Sequence, residues 1–191
     1  MKLPRYTKRF LLSVGLLFVI GICLAGPRGV PPSEGITNFG RVNEMLFRGA
    51  QPDDAAMLHL KTLGVKTIIN LRTAKELSKT EAAQAAANGI NYTNVPLNGI
   101  GRPSDEQIAH VLSLIETSPG PVYVHCAHGC DRTGTVIACY RLEHDHWTSD
   151  AAMEEARHYG ISGLERGMKR CVLDFAKTVS AKTSQSPAVK P

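Results

Sequence analysis

Residues 121–134 read PVYVHCAHGCDRTG. Pro121 to Cys126 is a short apolar run with β-branched residues, closed by a glycine-containing segment, which is the pattern of a buried strand. Thr133 to Leu142, just beyond it, is almost wholly apolar and suits a helix in the middle of a domain. A strand, a tight loop and a buried helix in that order are one unit of an α/β layer. The flanking sequence repeats the alternation. Further strand patterns occur at Val65 to Leu71 (VKTIINL) and Asn91 to Leu97 (NYTNVPL), and shorter strands are expected within Asn38 to Arg48. Asp53 to Leu63 places Met57, Leu58, Leu60 and Leu63 near one helical face and stops at Gly64. Thr73-Ala-Lys-Glu76 and Ser104-Asp-Glu-Gln107 both have the capping-box form, and the second opens a helix with Ile108, Val111, Leu112 and Ile115 at helical spacing. Two more helices are predicted at Ser149 to Tyr159 and Leu164 to Val179. The expected fold is α/β, a central, mostly parallel sheet of four to five strands flanked by helices on both faces.

The loop between the strand and the buried helix carries the chemistry. A cysteine followed six positions later by an arginine means little alone; the context gives Cys126 and Arg132 their meaning. Backbone N–H groups of a glycine-containing loop that opens a helix can gather an anion at the positive end of the helix dipole. The same field favours the thiolate of a cysteine at the loop's start. Arg132 adds a planar, permanently charged fork suited to two phosphate oxygens.

His125 to Thr133 resembles the signature HCxxGxxR[ST] of the cysteine-dependent phosphatases, in particular bacterial, exported forms of the atypical dual-specificity phosphatases of the protein tyrosine phosphatase superfamily. MLFRGAQP at 45–52 and LGVKTIINLR at 63–72 are similar to other stretches of that family, and the resemblance covers residues 36–175. It implies a protein tyrosine phosphatase-like fold and phosphomonoester hydrolysis through a cysteinyl-phosphate on Cys126. Ala127, His128, Gly129, Cys130, Asp131 and Arg132 would bind the phosphate, Thr133 would hydrogen-bond the sulfur, and His125 would shape the loop. For the general acid it leaves Asp105 and Asp131 as equal candidates, with Glu106 behind them. Arg48, Arg72 and Arg102 follow strand ends or loops near the same edge, and one or more should reach the pocket if the substrate is polyanionic. The implied partner is a phosphorylated substrate: a phosphoprotein, an inositol phosphate or a phospholipid headgroup. No cofactor and no metal are implied. The rival readings are a phosphoinositide or inositol polyphosphate phosphatase on the same loop, a metal site made from His125, Cys126, His128 and Cys130, a sulfur transferase, and an inactive phosphate-binding module. The metal reading lacks the paired CxxC spacing of structural zinc.

The chain has 191 residues and a formal charge of +5, but Lys2, Arg5, Lys8 and Arg9 at one end and Lys177, Lys182 and Lys190 at the other supply more than all of it. Residues 27–176 carry 15 basic and 17 acidic side chains, which excludes a basic nucleic-acid platform. The four N-terminal basic residues precede FLLSVGLLFVIGICLAG at 10–26, an uncharged apolar run of 17 residues. That is a signal peptide with a cleavage site after Ala25, or an N-terminal membrane anchor if it stays uncleaved. Both predict an exported, periplasmic or inner-membrane-tethered domain with its body outside the cytoplasm. The domain is expected over residues 27–179, and 180–191 reads as a disordered tail. In an oxidising compartment Cys130, four positions from Cys126, raises a regulatory disulfide or, alternatively, a small residue packed under the loop.

Overall fold

The computed structural model describes residues 28–185. The N-terminal leader or anchor therefore lies outside the described residues, as does the end of the C-terminal tail. Among the described residues no helix is long and apolar enough to cross a membrane.

Five strands form one sheet: β1 (Gly40–Asn43), β2 (Leu46–Gly49), β3 (Thr67–Asn70), β4 (Asn91–Asn94) and β5 (Val122–His125), in the order β1-β2-β5-β3-β4. Only β1 runs antiparallel to its neighbour; β2, β5, β3 and β4 are mutually parallel, as expected for a mostly parallel α/β sheet. The helices are α1 (Asp54–Thr62), α2 (Glu81–Ala87), α3 (Asp105–Glu116), α4 (Asp131–Glu143), α5 (Ser149–His158) and α6 (Arg166–Gln185).

Alternation along the strands divides the core in two. Leu46, Ile69, Val122 and Val124 face the side packed by α3, α4, α5 and α6, whereas Phe47, Ile68 and Tyr123 face the side packed by α1 and α2. Strand β5 is buried on both faces, and α4 buries every residue from Arg132 to Leu142. The unit that bears the loop is thus the most enclosed part of the molecule, which fixes the loop at both ends.

Two expectations are corrected. Thr73-Ala-Lys-Glu76 makes only half of a capping box: Glu76 Oε2 accepts from Thr73 N at 2.9 Å, but Thr73 Oγ1 donates to that same oxygen at 2.6 Å while the Glu76 N–H goes to Thr73 O, and only a turn follows. Lys75 to Thr80 contains Leu77 as its one apolar residue, so a helix there would have no stripe to bury, and helix begins again at Glu81. At the other end α6 runs through Ser180 to Gln185, where the sequence suggests a disordered tail. Val172 and the half-buried Phe175 and Ala176 anchor this helix on the core, and the polar residues beyond continue its hydrogen bonding.

Candidate active site

Cys126 to Cys130 form the turn between β5 and α4. Gly129 takes φ +70, and a Cβ on it would lie 2.5 Å from the carbonyl carbon of Gly49, so the end of β2 presses against the loop and only glycine fits. The backbone N–H groups of Ala127 to Arg132 have no partner among the described residues. Cys130, at the N-cap of α4, makes no side-chain cap bond. A run of unpartnered amides at the positive end of a buried helix is a ready site for an anion.

Cys126 begins that run and is 3% exposed. Arg132 ends it, with Nη1 and Nη2 donating to Glu76 Oε2 and Oε1 at 2.7 and 2.9 Å, and Nη1 also reaching Leu97 O at 3.4 Å. Of the five guanidinium donors, the Nε–Nη2 edge is left over, and two parallel N–H groups on one edge suit two oxygens of a phosphate. The hydrogen bonds from Arg132 to Glu76 bring its carboxyl down to about 2. Glu76 is thus a functional residue that sequence reasoning missed; its one signal is the capping-box match, which points to a helix rather than to the loop. Thr133 is fully buried and its Oγ1 has no partner among the described residues.

Beneath the loop, His125 Nδ1 lies 3.1 Å from Cys126 O, and Nε2 lies 2.8 Å from Glu81 Oε1. Burial opposes ionisation of Glu81, but the bond and charge of His125, with Gln51 and Asn70, hold it below the usual carboxylate range. His125 is accordingly committed to supporting the strand end.

The two candidate acids occupy different settings. Asp131 receives both Nη groups of Arg28 at 3.2 and 3.0 Å and the Ser162 N–H at 2.6 Å. Asp105 opens α3, is exposed, and meets Arg102 Nη2 at 2.6 Å. Glu106 follows Asp105 in that first turn. The side chain of His128 is exposed at the loop, Ala127 is half-buried, and Cys130 is buried below it, accepting from Asn38 Nδ2 at 3.4 Å. Of the three arginines near the edge, Arg48 lies wholly buried under the loop, Arg72 donates to Gln51 Oε1 at 2.5 Å, and Arg102 meets Asp105 and Asp174. The residues of the rival metal reading are separated by these uses: His125 faces Glu81 and His128 faces out.

A family profile described as "PTP-NADK: DSP-PTPase phosphatase fused to NAD+ Kinase" matches residues 31–171. The chain belongs to this DSP-PTPase phosphatase family. Among relatives, the dual specificity protein phosphatase TpbA of Pseudomonas aeruginosa is 31% identical over 139 residues, 72% of this chain and 60% of TpbA. The inositol diphosphatase DSP4 of Arabidopsis thaliana is 29% identical over 140 residues, 70% of this chain and 67% of DSP4. The crystal structure of P. aeruginosa TpbA superposes with a TM-score of 0.66 at 24% identity, covering 82% of this chain and 98% of that one, and so shares the fold. The DSP-PTPase profile spans all five strands and the whole of α4, and so takes in the loop between β5 and α4.

Proposed function

We propose that this chain hydrolyses phosphomonoesters through a cysteinyl-phosphate on Cys126, in the manner of a dual-specificity protein phosphatase. The observation that carries the reading is the conjunction in one loop of a cysteine, six consecutive unpartnered amides and the open edge of an arginine. The thiolate of Cys126 attacks phosphorus while the P–O bond to the leaving group breaks. The amides and the Nε–Nη2 edge of Arg132 hold the non-bridging oxygens through both steps, so the charge that develops meets donors already in place. Water then attacks phosphorus, the P–S bond breaks, and Thr133 Oγ1 donates to the departing sulfur.

Proton donation to the leaving oxygen is assigned to Asp105. Leu97 O accepts from Arg132, so the segment that leads to Asp105 starts at the fork, and Asp105 itself has a single, exposed ion pair to leave. Asp131 would have to abandon Arg28 and the Ser162 amide together. Asp105, as carboxylate, then takes the proton from the attacking water.

The reading carries an exported location, supported by the basic residues ahead of the apolar run at 10–26. Fractionation of cells expressing the tagged full chain tests it, and a cytoplasmic distribution removes it. Activity is tested by phosphate release from the reduced full-length chain beside its Cys126→Ser variant. The substrates are phosphotyrosine peptide, phosphoserine peptide, inositol polyphosphate and phosphoinositide vesicles. Release that vanishes in the variant is expected, with the peptides turned over fastest. A ranking led by the inositol or lipid substrates would move the chain toward the second reading, and no release from any would overturn hydrolysis.

A further inference from the structure

Amides that all point at one anion need their carbonyls turned the other way, because the C=O of one residue and the N–H of the next lie on opposite sides of a planar trans peptide unit. Left in solvent, a loop of this length has no reason to hold that arrangement. Three successive carbonyls are here tied from behind. Ala127 O accepts from the Gln51 N–H at 3.3 Å, His128 O from Asn38 Nδ2 at 3.2 Å, and Gly129 O from Arg48 Nη2 at 2.9 Å. These three bonds set the directions of the His128, Gly129 and Cys130 amides.

Arg48 is unusual in more than this contact. It is 1% exposed and lies with its guanidinium 3.8 Å from the centroid of the Tyr159 ring. Its Nε and Nη1 have no partner among the described residues. Arg141, also buried, shows the ordinary solution: its guanidinium is met by Glu155 at 3.1 and 2.7 Å and by Asp145 at 2.7 Å. Arg48 has no such carboxylate at ion-pair distance among the described residues. Burial lowers it only to about 10, so it remains a cation at neutral pH. Glu155, the acid that acts on it most, is already bonded to Arg141, and a buried charge without a directly paired carboxylate is costly in a protein interior. It is offset where an anion arrives close by, and the phosphate loop lies directly above.

Asn38 completes the support. It is fully buried, sits at φ +55, takes the Val30 N–H on its Oδ1 at 2.9 Å, and directs Nδ2 toward His128 O, Cys130 Sγ and Tyr159 O. It thereby links the loop, the end of α5 and the N-terminal residues.

We propose that Arg48 and Asn38 are positioning residues for the anion cradle, turning its carbonyls outward so that its amides face the phosphate, with Arg48 adding a buried counter-charge for the bound anion. The inference rests on the loop being a phosphate site, not on turnover. Neither side chain touches substrate.

The test uses full-length protein in detergent. Tungstate, a phosphate mimic, is titrated calorimetrically in the Cys126→Ser background, alone and combined with Arg48→Gln or Asn38→Gly; glycine keeps the backbone conformation that Asn38 requires. In parallel, alkylation of Cys126 by iodoacetate, an anion, is compared with alkylation by neutral iodoacetamide. The expected result is tungstate affinity weaker by about tenfold or more in each variant, with the iodoacetate preference reduced toward that of a free thiol. The far-ultraviolet spectrum and the anion-free melting curve report separately on folding. If Arg48→Gln yields no folded protein, Asn38→Gly carries the same readouts. Tungstate affinity within about twofold of the parent, with an unchanged alkylation ratio, overturns the proposal whatever the turnover. Wild-type protein that binds tungstate through these residues yet releases no phosphate removes the hydrolytic reading and leaves the support role standing.

Discussion

The front and the back of the phosphate loop are built on opposite terms. On the front, the amides of Ala127 to Arg132, the hydroxyl of Thr133 and one edge of Arg132 are donors without partners among the described residues. On the back, the carbonyls of Ala127, His128 and Gly129 are all bonded, and Gly129 lies against the backbone of Gly49 with no room for a methyl group. Unsatisfied donors raise the energy of a folded protein, and the satisfied, close-packed back is what holds them in place. The front therefore belongs to function and the back to stability, and substitutions on the two sides should separate accordingly.

The largest effect is expected from Cys126→Ser, which should abolish phosphate release while leaving the melting temperature nearly unchanged; a large fall in melting temperature would break the division. Next, Asp105→Asn should slow turnover of substrates with poor leaving groups by about 10²–10⁴ and of activated aryl phosphates far less. Equal losses on both substrates, or a larger leaving-group effect from Asp131→Asn, would return the acid to the other flank. On the back, Gly129→Ala meets both the positive φ and the 2.5 Å approach to Gly49, and should destabilise the protein by about 2–4 kcal/mol in chemical denaturation, taking activity with it.

Glu76 stands between the two sides, since it uses Arg132's rear nitrogens to aim its front edge. Its carboxyl is held near 2 when folded, below its unfolded value, so its stabilisation is present above about pH 4.5 and is lost as pH falls toward 2. The side chain is 35% exposed, which limits the contribution to about 1 kcal/mol. Glu76→Gln should flatten acid unfolding in that window and lower kcat/KM by about tenfold through a less well-directed fork. The smallest effect is expected from Cys130→Ala. Burial raises the Cys130 thiol, and the side chain packs below the loop, so removing it should cost about 1 kcal/mol and leave turnover of reduced protein within about twofold. Loss of reductant-reversible inactivation by peroxide in that variant would instead support the regulatory disulfide.

The front was legible in the sequence because it is local. One strand, one loop and one helix follow each other in PVYVHCAHGCDRTG, and their periodicity and residue types are visible within a single window. The back is assembled from Asn38, Arg48 and Gln51, whose partners lie some eighty or ninety residues away, and no local pattern announces such contacts. Arg48 was visible only as a basic residue near the right edge, so its expected direction was toward the pocket rather than beneath it. Glu76 shows the same limit from the other side. Its carboxylate makes half of a capping box with Thr73, yet what fixes it is Arg132, fifty-six positions on. The extension of α6 from Ser180 to Gln185 was missed because helix propagation from a packed segment needs no apolar signal of its own.

The strand order has a consequence for how the chain comes into being. Strand β5 lies at the centre of the sheet, with β2 on one side and β3 on the other, although it is the last of the five to be synthesised. Until Val122 to His125 emerges, the β1–β2 ribbon and the β3–β4 pair have nothing to join them, and closing the gap from Leu46 to Val122 carries the entropic cost of a long loop. The segment that welds the two halves also leads straight into Cys126, the proposed nucleophile. A nascent or truncated chain cannot set Cys126 at the head of its loop before the sheet is closed, because the same few residues complete both.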